Sequence, residues 1–120
     1  MTEQFGLKTQ TVTAIQQVFA AFPQIGKVII YGSRAKGTYK TGSDIDLTLI
    51  PVKKTVLDLT IQLQIEEALE ELMLPYQFDI SVFDTLDNPN LRDHIHRVGK
   101  VFYIPVGFGD VGRRQTSEAP

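Results

Sequence analysis

The chain has 120 residues, 42% of them apolar, enough for one domain with a real core and too few for two ordinary ones. Twelve basic residues against fourteen acidic ones leave a net charge of −2, without the basic excess of a non-specific nucleic-acid binder. There is no cysteine, so disulfides, zinc–thiolate sites and thiol nucleophiles are excluded.

Residues 1–10 hold no basic-then-apolar leader, and no apolar run approaches the ~18 residues needed to span a bilayer. A soluble, cytoplasmic protein with neither membrane nor nucleic acid as partner is expected. Val12, Ile15, Val18, Phe19 and Phe22 recur at helical spacing, which predicts a first helix over residues 9–22. Threonines 9, 11 and 13 offer N-caps, and Pro23 closes the segment. Residues 28–31 are apolar and largely β-branched and end at Gly32, the pattern of a buried strand.

Residues 44–50 alternate, with Ile45, Leu47 and Leu49 on one side and Asp44, Asp46 and Thr48 on the other. Residues 76–83 do the same, with Tyr76, Phe78, Ile80 and Val82 opposite Gln77, Asp79 and Ser81. Both read as half-buried strands whose polar sides carry carboxylates. Between them Leu57, Ile61, Ile65, Leu69 and Leu72 mark a second long helix, about residues 55–74, stopped by Pro75. Leu59 and Leu63 fall on its far side beside Glu66 and Glu70, where they either anchor a partner or lie under a loop or the C-terminal tail. A last helix over residues 89–98 and a strand over 101–104 complete the pattern. The expectation is one α/β domain at residues 1–104, a mixed sheet of three to four strands backed by helices, with a mobile tail at 105–120.

Two segments carry chemistry. Gly32 directly after a buried strand lets another backbone or a ligand come close. A short helix beginning at Ser33 would point free N–H groups at a phosphate, with the Ser33 hydroxyl adding a hydrogen bond and Arg34 and Lys36 adding charge. Asp44 and Asp46, one residue apart in a strand, share a face about 7 Å apart. Aspartate is disfavoured in strands, and two neighbouring carboxylates repel unless a cation sits between them. Magnesium, which takes oxygen ligands and phosphates, fits that place. Asp79 on a matching face could complete a two-metal site suited to in-line attack on phosphorus.

Plainer readings exist for each residue. Asp44 and Asp46 could sit on a solvated face, Ser33 could be an ordinary helix cap, and Arg34 could pair with a carboxylate. Lys36 reads as a solvated charge, and Asp84 as a turn cap competing with Asp79. His94 and His96, two apart on a helix, point about 200° apart and cannot share one ion. Gly107 to Gly112 spells G-x-G-x-x-G without a following βαβ unit, and Thr38 stands where a P-loop needs lysine.

Gly-Ser, ten residues, then Asp-x-Asp, here Gly32-Ser33 and Asp44-Ile45-Asp46, resembles the signature of the DNA polymerase β superfamily of nucleotidyltransferases, in its minimal branch, over residues 7–103. The resemblance implies that Gly32 and Ser33 meet the triphosphate, and the positive charge of the adjoining Arg34 makes it a third candidate for nucleotide binding. It also implies that Asp44, Asp46 and Asp79 bind metal and carry catalysis, with Asp79 helping to deprotonate the acceptor. It further implies ATP as substrate, two magnesium ions, and AMP as the transferred group. Short members resemble the antitoxins of HEPN toxin modules, so a HEPN-type toxin is the expected partner and acceptor. A non-catalytic antitoxin that acts by docking is one alternative. A small-molecule nucleotidyltransferase, with its site shared in a homo-oligomer, is another.

Overall fold

The computed structural model describes residues 3–105, so the expected tail, apart from Pro105, and the motif at 107–112 lie outside the described residues. The chain opens with a two-stranded hairpin that the sequence pattern does not announce. Its strands are β1 (Glu3–Gln4) and β2 (Leu7–Lys8). Phe5 and Gly6 turn between them with φ of 58° and 74°, the pair of positive values that a tight two-residue hairpin turn requires.

Helix α1 (Thr9–Ala20) starts straight from β2, so Lys8 and not one of the threonines takes the N-cap position. Strand β3 (Ile25–Tyr31) is longer than expected and runs into a five-residue helix, α2 (Gly32–Lys36). After a loop come β4 (Ile45–Pro51) and α3 (Leu59–Glu70). Helix α3 is shorter than its apolar periodicity implies, for two local reasons. The Asp58 carboxylate accepts the Ile61 N–H at 2.9 Å and starts the helix there. At the other end the turn tightens into i→i−3 bonds from Leu72 and Met73, and Met73 takes a positive φ of 58°. Leu57 and Leu72 still reach the core, but from the flanking turns.

Strand β5 (Phe78–Val82), a 3₁₀ turn at Phe83–Thr85, helix α4 (Pro89–Val98) and strand β6 (Lys100–Tyr103) complete the described chain. Helix α4 begins where Asn88 accepts hydrogen bonds from Asn90 and Leu91 and Pro89 fills the first position.

The four long strands form one mixed sheet in the order β5-β4-β3-β6. Strand β3 is antiparallel to both neighbours, while β4 and β5 are parallel and joined through α3. One face carries Ile30, Ile45, Leu47, Leu49, Ile80 and Val82, packed against Val12, Ile15 and Phe19 of α1 and Ile65 and Leu69 of α3. The opposite face carries Tyr31, Asp46, Thr48 and Asp79. Helix α4 packs against β3 and α2, and the 3₁₀ turn against β4. Thr48, expected on a polar side, is fully buried there. Among the described residues no helix is long and apolar enough to cross a membrane.

Candidate active site

Three strands build the floor of the site. Asp46 on β4 pairs in register with Asp79 on parallel β5 and with Tyr31 on antiparallel β3. Adjacent strands lie ~4.8 Å apart and register partners share a face, so Asp46 and Asp79 stand side by side. Asp44 lies two residues earlier, in the extended chain just before β4, and is exposed, as is Asp79. The carboxylates sense one another: burial first, then Asp79 and Asp44, push the Asp46 carboxyl up to about 6, and Arg34 pulls the other way.

The donor chemistry suits a hard cation, since it is all carboxylate oxygen and one member holds its charge at a cost. Among the described residues, however, no three acidic or histidine side chains are gathered closely enough to hold an ion by themselves. Phosphate and water oxygens would have to complete any coordination, as magnesium sites commonly require.

Gly32 and Ser33 form the turn from β3 into α2. Gly32 has φ of 74°, and a Cβ placed there would run into Oδ2 of Asp46. What comes close to this glycine is therefore a carboxylate of the site. Ser33 does not cap α2, because the N-cap position is Tyr31 and no side chain caps the helix. The Ser33 carbonyl accepts from Gly37 and Thr38, while its part-buried hydroxyl makes no hydrogen bond within the described residues. Five residues make too short a helix for a large dipole, so binding at this turn has to come from individual hydrogen bonds.

Arg34 is buried, at 3% exposure. Its donors, expected to face phosphate or a carboxylate, meet backbone carbonyls. Nε and Nη2 both donate to Ser43 O, at 3.1 and 2.8 Å, and Nη1 donates to Phe5 O at 2.8 Å. From there the guanidinium offers the site charge and support. Lys36 is exposed, and Asp84 lies exposed in the 3₁₀ turn, away from the β4–β5 pair of aspartates.

Four residues of the floor escaped sequence reasoning. Tyr31 is buried beside Asp46. Its hydroxyl pKa is raised by burial, lowered by a hydrogen bond with Ser81, and raised by Asp79 and Asp46. Ser81 Oγ in turn donates to Thr48 Oγ1 at 2.9 Å. The His94 ring meets Tyr31 edge-on, with centroids 6.1 Å apart, whereas His96 packs on Phe83. The histidines thus look in different directions, and His94 borders the site. Its one sequence signal is its place on the face of α4 that also carries Leu91 and Ile95.

Residues 13–105 match the family model for polymerase beta, nucleotidyltransferase. Curated protein sequences give no match. Among solved structures, the fold resembles a chain of a toxin–antitoxin with AMP-PNP, at 18% identity and a TM-score of 0.62 over 76% of this chain and 71% of that one. It also resembles a chain of the MntA–HepT toxin–antitoxin, at 14% identity and a TM-score of 0.59 over 79% and 71%. A third is from the complex of a tri-AMPylated Shewanella oneidensis HEPN toxin with its MNT antitoxin, at 15% identity and a TM-score of 0.57 over 78% and 69%.

Proposed function

Because the chain belongs to the polymerase β-type nucleotidyltransferase family, we propose that it transfers AMP from ATP to a hydroxyl of a partner protein, and that this partner is a HEPN-type toxin silenced by the modification. The observation that carries the reading is the register of Asp46 against Asp79, with Asp44 two residues away and the Gly32–Ser33 turn resting on Asp46. The resemblance to a toxin–antitoxin with AMP-PNP and to a complex holding a tri-AMPylated HEPN toxin supports the choice of nucleotide and partner.

In this mechanism the Ser33 hydroxyl and the backbone N–H groups of the turn hold the phosphates. The acceptor oxygen attacks the α-phosphorus, the bond to the β-phosphate oxygen breaks, and pyrophosphate leaves. The acceptor's proton passes to the exposed Asp79 carboxylate. Asp44, Asp46 and Asp79 would hold magnesium, which when bound neutralises the phosphates and makes the acceptor hydroxyl more acidic.

The test is incubation with labelled ATP, magnesium and the product of the neighbouring gene. Label on that protein, with loss of its toxicity, is the expected result. Neutralisation without label would favour docking alone, and label on small molecules only would sink the protein-acceptor reading.

Two further expectations arise here. Ser33→Ala removes one charge-assisted hydrogen bond, worth ~1–3 kcal/mol. Calorimetry should show ATP binding about tenfold weaker, and an unchanged affinity would move the phosphate site elsewhere. The second concerns the partner surface. Leu59 and Leu63 are 67% and 53% exposed, one turn apart on α3, with Val56 and Met73 also exposed at either end of the helix. We assign this strip to the toxin, since apolar anchors in a polar rim concentrate binding energy. Leu59→Glu with Leu63→Glu should leave the protein folded and weaken the complex ~100-fold, or about 3 kcal/mol. An unchanged complex on a sizing column would refute the assignment, and unfolding would return the leucines to the core.

A further inference from the structure

We infer that Arg34 is a positioning residue: its guanidinium locks the ends of the loop between the two halves of the site and ties them to the N-terminal hairpin, so that the hairpin helps to set where Asp44 stands. The consequence for turnover rests on the nucleotidyl-transfer reading above; the geometry does not.

Arg34 directly follows Ser33, and Ser43 directly precedes Asp44. The two donors that Arg34 sends to Ser43 O therefore pin together the two chain segments that hold the turn and the first aspartate. Within the loop, Ser43 N donates to Lys40 O at 2.9 Å, and Lys40 N donates to the Ser43 hydroxyl at 2.7 Å. Closing a flexible loop at its base restricts every residue within it.

The third hydrogen bond reaches Phe5 O at the hairpin turn. The guanidinium carbon also lies 5.4 Å from the centre of the Tyr39 ring and 5.0 Å from that of Tyr76. Among the described residues the one ion pair is Arg97 with Asp93 on the surface, so Arg34 is a buried cation with no carboxylate paired to it. Burying such a charge is costly, and here carbonyl hydrogen bonds and aromatic faces offset that cost. An arginine held in this way commits three of its five N–H donors to backbone carbonyls. Gly6 belongs to the same arrangement. A Cβ at Gly6 would run into the Tyr39 ring, which lies against the hairpin turn beside Arg34.

The experiment compares the parent with Arg34→Gln, Arg34→Lys and Gly6→Ala. For each, hydrogen–deuterium exchange is measured at the Lys40 and Ser43 amides, ATP affinity by calorimetry, and kcat and KM for transfer to the labelled acceptor. In all three variants the two amides should exchange at least tenfold faster and kcat should fall about 100-fold, the scale of a 1 Å misplacement. ATP affinity should stay within threefold. Arg34→Lys keeps the charge but cannot bridge both carbonyls, so it should behave like Arg34→Gln. Unchanged amide exchange in the variants overturns the inference. So does an ATP affinity that drops tenfold in Arg34→Gln and is restored in Arg34→Lys, the signature of a phosphate contact. If the Arg34 variants do not fold, Gly6→Ala decides by the same amides. If the parent transfers nothing to any acceptor, the proposed function fails, and the exchange data alone decide on the role of Arg34.

Discussion

Asp46→Asn is expected to abolish nucleotidyl transfer and at the same time to make the metal-free protein more stable at neutral pH. The loss of activity follows from removing the carboxylate that stands between Asp44 and Asp79, and a drop of at least 1,000-fold is expected. The gain in stability follows from the cause of the raised pKa. Burial, Asp79 and Asp44 all disfavour the ionised form of Asp46 and carry its carboxyl from 3.8 to about 6. A displacement of that size corresponds to ~3 kcal/mol at most. Solvent screening at a part-exposed carboxylate lowers it to on the order of 1 kcal/mol.

The sign is fixed by proton counting. Between pH 3.8 and about 6 the folded state holds a proton at Asp46 that the unfolded chain has lost. Stability therefore falls as pH rises through that window and stays lower above it. Urea titrations of parent and variant in a chelator, from pH 4 to pH 7, should coincide at the acid end and separate toward neutrality, with Asp46→Asn the more stable. Parallel curves at every pH would show that Asp46 is not strained by its neighbours. Asp44→Asn should lose activity as severely with a smaller change in stability, because Asp44 is exposed.

The second large effect is expected at Gly32, and turnover should suffer more than nucleotide affinity. Valine there meets two obstacles. Its φ of 74° lies in the left-handed region, which costs a side-chain-bearing residue ~1–2 kcal/mol and a β-branched one more. Its Cβ would also occupy the place of the Asp46 carboxylate oxygen, so either the turn or Asp46 must move. Gly32→Val should lose about 2 kcal/mol of stability and at least 100-fold in kcat. Gly32→Ala should move in the same direction by less. If Gly32→Val turned over at the parental rate, the contact between this turn and Asp46 would have no functional weight.

What could be read from the sequence was whatever depends on near neighbours along the chain. Alternation alone puts Asp44, Asp46 and Asp79 on polar sides of their strands. Helical phase alone sends Leu59 and Leu63 away from the sheet. The limits of α4 were legible because Asn88 and Pro89 state them locally. The hairpin was hidden because Phe5 takes a positive φ that aromatic residues seldom adopt, so nothing marked a turn. The burial of Thr48 depends on Ser81, which is distant in sequence and adjacent only through parallel pairing. Arg34 was misleading for the same reason. Its partners Phe5, Ser43, Tyr39 and Tyr76 come from three other stretches of chain, and a basic residue beside Gly-Ser carries no mark of facing inward.

The strand order has a consequence for how the protein is made. The last described strand, β6, pairs with β3 near the start, and Asp46 meets Asp79 only across the crossover through α3. Contacts of such long sequence separation form late and slow folding. During synthesis, β3 waits with one edge unpaired until residues 100–103 have left the ribosome, and an unpaired edge is what aggregation and proteolysis act upon. A chain cut before β6 therefore holds every strand of the site but leaves that edge of β3 without protection.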